Sequence, residues 1–141
     1  MRIPTFVLAT LFLASSCAQV GPQDTSQGLG GTSWQVVRFQ GGDGKVIIPG
    51  DMTLYTLSFE KDGYVVMRID CNRGRGSWKS DGKGQIEFGP MALTRALCPQ
   101  GSMHDQVVKQ LPHIRSYVIR NGRLFLSLMA DGGTYELAPA K

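Results

Sequence analysis

Two cysteines, two histidines and a few polar side chains hold whatever chemistry this chain can do. Cys71 and Cys98 bound a stretch that opens Arg68-Ile69-Asp70-Cys71-Asn72-Arg73-Gly74 and closes Met91-Ala92-Leu93-Thr94-Arg95-Ala96-Leu97-Cys98. In an exported protein such a pair forms a structural bridge. It would close a loop of roughly 27 residues and stabilise the fold by roughly 3 to 4 kcal/mol in the loop-entropy picture. The sharper alternative is a redox-active pair, but the Cys-x-x-Cys spacing that lowers a thiol pKa is missing. Asn72 suits a bond to local backbone in the turn after a strand, and Thr94 a bond to a nearby polar group; for each, a ligand contact is the alternative. His104 and His113, with Asp105 between them, invite a metal reading. They stand nine positions apart, which matches no common ligand pattern, so surface histidines and no metal are expected. No nucleophile elbow is present, and the glycines fall in Asp-Gly and Gly-Gly turns, not in a strand-to-helix phosphate loop. Catalytic residues and cofactors are therefore not expected, and an enzyme is the last of the readings.

The third cysteine is of another kind. Residues 1–16 carry one early charge at Arg2, an apolar run from Phe6 to Leu13 and the small-residue ending Ala14-Ser15-Ser16, immediately before Cys17. The run is too short to span a bilayer, so it reads as a cleaved signal. Small residues directly before a cysteine resemble a bacterial lipoprotein box, which implies cleavage before Cys17 and acylation there; an ordinary secretory signal with an incidental cysteine is the alternative. Several acyl chains would anchor the protein stably, at about 0.8 kcal/mol per buried methylene. Ala18 rather than aspartate follows, which by resemblance to enterobacterial sorting favours the outer membrane, with the domain facing the periplasm. Residues 17–31 read as the acylated cysteine and a flexible tether, and residues 32–141 as the folded domain.

Charge excludes little but weighs against nucleic acid. The net charge is +4, a mild excess spread along the chain, and no basic run with interleaved aromatics occurs. A solvated basic surface accounts for it, with a surface meeting anionic lipid or glycan as the alternative.

The elements that must position these residues are mostly strands. Apolar and polar residues alternate from Thr32 to Gln40, with Trp34, Val36 and the stem of Arg38 on one face, and again from Thr53 to Glu60 and Tyr64 to Asp70. Further short runs cover Lys45–Ile48, Gly76–Ser80, Gln85–Phe88, Met91–Leu97, Ser116–Arg120, Leu124–Met129 and Thr134–Ala138, punctuated by Asp-Gly, Gly-Gly and Asn-Gly turns. Only one segment has helical spacing: Met103, Val107, Val108 and Leu111, with Ser102 as N-cap and Pro112 as stop, predict a helix over 103–111. Short strands this close together predict a mainly β, α+β domain: a small antiparallel barrel or half-barrel of about seven to nine strands with one helix.

In this order the motifs resemble the META domain, the HslJ-like family. The resemblance rests on Gly31-Thr32-Ser33-Trp34, the Leu57-Ser58-Phe59 strand with its Asp62-Gly63 turn, Cys71-Asn72 with Gly76 after it, and Thr94 four residues before Cys98. The helix ending at Leu111 and the Leu124-Phe125-Leu126 strand complete it. It implies a small antiparallel barrel with one helix, and a role in stress tolerance at the envelope without a defined biochemical activity. The family often carries glycine where this chain has Asp70, so by this departure a backbone conformation needing glycine is not expected at that position. The expected function is thus a non-enzymatic, monomeric envelope lipoprotein in stress tolerance or assembly, touching the membrane through Cys17 and an envelope protein or lipid through its barrel. A barrel holding a small apolar ligand, or an inhibitor of a secreted hydrolase, are the alternatives.

Overall fold

A computed structural model of the chain describes residues 28–141. The leader (1–16), Cys17 and most of the tether (17–31) lie outside the described residues. Nine strands follow in order: β1 Thr32–Gly41, β2 Val46–Ile47, β3 Tyr55–Phe59, β4 Tyr64–Ile69, β5 Asn72–Ser80, β6 Ile86–Leu93, β7 Ile114–Arg120, β8 Arg123–Leu128 and β9 Gly133–Pro139. One helix, α1 His104–Gln110, runs into a 3₁₀ turn at Leu111–His113, and another 3₁₀ turn, Met52–Leu54, precedes β3. Among the described residues no helix is long and apolar enough to cross a membrane.

The strands form one antiparallel sheet in the order β6-β5-β4-β3-β1-β9-β8-β7, with β2 paired to β1. It is two meanders joined by β1, which lies between β3 and β9. The sheet curls into a half-barrel whose two edges approach each other at a single bridge, Gln85 to Ser116. Alternation does the work that period two demands: Tyr55, Leu57 and Phe59 of β3 and Val65, Met67 and Ile69 of β4 are buried, while their neighbours face out. The inward faces meet Trp34, Leu124, Leu126, Tyr135 and Leu137 in one core. Helix α1 lays Val107, followed by Leu111, over one end of it. The interior is packed: the cavity among Val36, Tyr55, Leu57, Met67, Ile69, Val107 and Leu111 measures about 10 Å³, roughly the space of one water.

Where the structure departs from the period-two reading, bulges and packing explain it. The pairing of β1 with β9 shifts register between Val36 and Arg38. The extra residue turns the strand over, so Phe39 is buried and Arg38 points out to Glu136, its Nε 2.7 Å from the carboxylate. β5 begins directly after Cys71, not at Gly76. Its glycines are not breaks: a Cβ on Gly74 would lie 2.2 Å from Leu93 Cδ2, and one on Gly76 2.0 Å from Met91 Sδ. They make room for side chains crossing from β6. The runs around Phe88 and Met91 are a single strand with a bulge opposite Ser77, where Gly89-Pro90 adds a residue; Pro90 is tolerated because β6 is an edge. Nor does the domain begin at Thr32. Leu29, assigned to the tether, is 1% exposed in the core.

The turns behave as their residues require. Asn121 and Gly122, at φ +51° and +70°, join β7 to β8 in a two-residue hairpin that needs left-handed backbone. Asp70 has φ +56°, so the left-handed conformation that the replacement of glycine spoke against is present after all, with a carboxylate residue adopting it. Its Oδ2 accepts a hydrogen bond from the Tyr55 hydroxyl at 3.3 Å.

Antiparallel pairing also gives the molecule two poles. Thr32 pairs with Phe59 and Trp34 with Pro139, so the chain enters beside the far ends of β3 and β9. Asn72 pairs with Ile69, and Gly41 with Gly133, at the other pole, which α1 covers. Ten residues of β1 separate the two by about 30 Å.

Candidate functional site

At the α1 pole the sequence-marked residues converge on Asn72. Cys71 fills the second place of the two-residue turn between β4 and β5, and Cys98 lies five residues beyond the end of β6. Their sulfurs are bonded, with Cα atoms 5.4 Å apart. Asn72, the first residue of β5, is 0% exposed and its amide is fully engaged. Oδ1 accepts from the Ala96 backbone N–H at 2.7 Å and from the Thr94 hydroxyl at 2.8 Å. Nδ2 donates to the Ala96 carbonyl at 2.9 Å and to a ring nitrogen of His104 at 3.1 Å, and lies 3.4 Å from Cys98 Sγ. Thr94 Oγ1 in turn accepts from the Arg73 N–H at 2.9 Å. One side chain thus clamps residues 94–96 to the start of β5, while the disulfide clamps residue 98.

His104 belongs to this cluster. A free surface histidine was expected, but its side chain is only 18% exposed, and it opens α1 with its N–H donated to Ser102 Oγ at 3.0 Å. Ser102 therefore caps the helix from two positions before it, and α1 starts at His104, one residue later than the apolar spacing suggests. The polarity of the cluster fixes the imidazole. Because Asn72 Oδ1 must face the Ala96 N–H, Nδ2 must face His104, so His104 Nε2 accepts and its Nδ1–H donates to Asp105 Oδ1 at 2.9 Å. His113 is exposed in the 3₁₀ turn and stands apart, its carbonyl accepting from Met129 N–H. Among the described residues no group of three histidine, cysteine or carboxylate side chains is placed to hold a metal. Beside the cluster a cleft of about 720 Å³ opens between the 94–102 loop and α1, floored by Met91, Leu93 and Val108. Leu97 stands at its rim, 99% exposed.

A model of the META domain family matches residues 27–141. The chain belongs to the META domain family. Solved structures share the fold of this META domain. A protein from Burkholderia xenovorans, determined by NMR, is 22% identical with a TM-score of 0.70, 99% of each chain being covered. A duf4847 family protein from Bacteroides vulgatus is 18% identical with a TM-score of 0.60, over 80% of this chain and 95% of that one. No curated protein matches.

Three groups of the META domain titrate away from their ordinary values. The Asp51 carboxylate is held down by the hydroxyl and backbone N–H of Thr53, with Arg68 adding a weaker pull. Asp81 is held down by the N–H groups of Lys83 and Gln85 in the β5–β6 turn. Burial pushes the Tyr135 phenol up; its hydroxyl donates to Gln110 under the 3₁₀ turn. Tyr135 ionises in the unfolded chain at about pH 10 and in the folded chain only at higher pH. Its contribution is therefore complete below pH 10 and declines as pH rises above it. Tyr135→Phe should flatten the fall in stability between pH 10 and 11, measured as urea midpoints.

Proposed function

We propose that this META domain protein is a lipid-anchored protein of the outer envelope, held at Cys17 and facing the periplasm, that serves stress tolerance or assembly by surface contact and without catalysis. What supports the reading is how the Asn72 cluster uses its polar groups. Both sulfurs are spent in the bridge, and Thr94, His104 and the Asn72 amide are spent on one another and on backbone. The result of that investment is a rigid loop presenting Leu97 to solvent. A groove for turning over a substrate would keep at least one nucleophile or base free. The cavity among the inward side chains of β3 and β4 has about the space of one water, too little for an apolar ligand there, so the ligand-holding alternative is the weaker reading.

Native mass spectrometry of the mature protein, extracted gently from its own envelope after mild crosslinking, tests this. The expected result is an acylated chain beginning at Cys17, carrying a crosslinked protein or retained lipid. An unacylated chain with another N-terminus would refute the anchor; an acylated chain that never captures anything, in cells whose stress sensitivity is unchanged by deletion, would refute the contact role.

A further inference from the structure

Eight large hydrophobic side chains are exposed on the described surface, and five of them, Val46, Ile48, Met52, Leu97 and Met129, lie at the α1 pole. They come from four places there: β2 and the residue after it, the 3₁₀ turn before β3, the clamped loop after β6, and the turn after β8. They ring the pole as projections, with Leu97 at the rim of the cleft beside α1. Projections of this kind suit a partner that is soft and deformable.

The charges beside them are arranged against the ordinary rules of a sheet. Arg68 of β4 and Arg73 of β5 are direct cross-strand partners on the outward face, where like charges repel. Among the described residues neither makes an ion pair, and neither does Arg95, which follows Thr94 in the loop hydrogen-bonded to Arg73. Arg75, Arg38 and Arg123, further along the sheet, are all paired with carboxylates. The carboxylates nearby hydrogen-bond elsewhere, Asp51 with Thr53, Asp70 with Tyr55 and Asp105 with His104, although Arg68 adds a weaker pull on Asp51 and its Nε donates to the Asp70 carbonyl at 3.2 Å. Three guanidiniums without an ion pair among the described residues present donors for phosphate oxygens, and Arg95 stands two residues from fully exposed Leu97, a side chain for the acyl boundary.

We propose that the α1 pole docks on an anionic phospholipid surface, with Leu97 and its apolar neighbours entering the headgroup–acyl boundary and Arg68, Arg73 and Arg95 meeting lipid phosphates. This names the partner of the contact role proposed above, and rests on that role but not on the anchor. Because the chain enters at the opposite pole, the docking is a second attachment, distinct from Cys17.

The test uses the full chain carrying Cys17→Ser, so that no acyl chain contributes, and measures co-sedimentation with vesicles of phosphatidylglycerol mixed into phosphatidylcholine, and of phosphatidylcholine alone. Binding should require phosphatidylglycerol and weaken with salt. Arg68→Gln and Arg73→Gln should each weaken it about fivefold, and Leu97→Ser about tenfold. Tyr64→Ser at the other pole, where Arg75 covers the ring at 4.0 Å, should leave binding unchanged. No binding, binding indifferent to lipid charge, or binding that the arginine and Leu97 variants leave intact would overturn the proposal. So would preference for a soluble acidic peptide competing the chain off vesicles through the same arginines. A chain that is acylated in cells yet fails here would overturn the docking and leave the anchor standing.

Discussion

Replacing both Cys71 and Cys98 by alanine should lower the stability of the domain by about 3.5 kcal/mol, the loop-entropy value for a loop of this length. The sequence separation of 27 spans β5 and β6 entirely, so the bridge restrains two strands and their turn in the unfolded chain. A urea titration of the variant against the oxidised protein measures it, and dithiothreitol should reproduce much of the loss in the native sequence. An unchanged midpoint in both experiments would mean that the bridge does not restrain the unfolded chain.

Removing the amide of Asn72 should cost nearly as much, about 3 kcal/mol for Asn72→Ala. The side chain is fully buried, and its loss strands the Ala96 N–H and carbonyl and the Thr94 hydroxyl, all of which it satisfies. Asn72→Asp should be worse despite its similar shape. It places a carboxylate oxygen where Nδ2 stood, 2.9 Å from the Ala96 carbonyl, so acceptor faces acceptor at a side chain that is itself fully buried. Because the disulfide and the amide hold the same loop, the two losses should not add: the triple variant should lose measurably less than the sum. Strict additivity in that cycle would show that the two clamps act independently.

Much of the fold was legible because its inward faces follow period two and its turns carry Asp-Gly and Asn-Gly. What was not legible came from the partner strand and not from the segment itself. Gly74 and Gly76 look like a break when read along the chain; their reason is Leu93 and Met91, which lie across the strand pair. Arg38 and Phe39 exchanged faces because of a bulge that only the pairing with β9 reveals. At the site, Cys71, Cys98, Asn72 and Thr94 stood out by type and were found together. His104 was missed as their neighbour, since 32 residues separate it from Asn72 and nothing local distinguishes it from His113. Its place two residues after the capping Ser102 was the available signal. Leu29 was missed because one apolar residue among glycines shows no periodicity.

The position of β1 has a consequence in time. Every other pairing in the main sheet joins strands that follow one another along the chain, so β3 to β6 and β7 to β9 can each form by local contacts, and the Cys71–Cys98 bridge joins the β4–β5 turn to the loop just after the first of these. Only β1, sandwiched between β3 and β9, ties the start of the domain to its end, as the Arg38–Glu136 pair shows across 98 residues. Closing so long a loop is the slow step in sheet formation. The first meander can assemble and be oxidised early, while the sheet cannot be completed until the last strand has been delivered. A chain with this wiring reaches its final form only once all of it is on the same side of whatever it has to pass through.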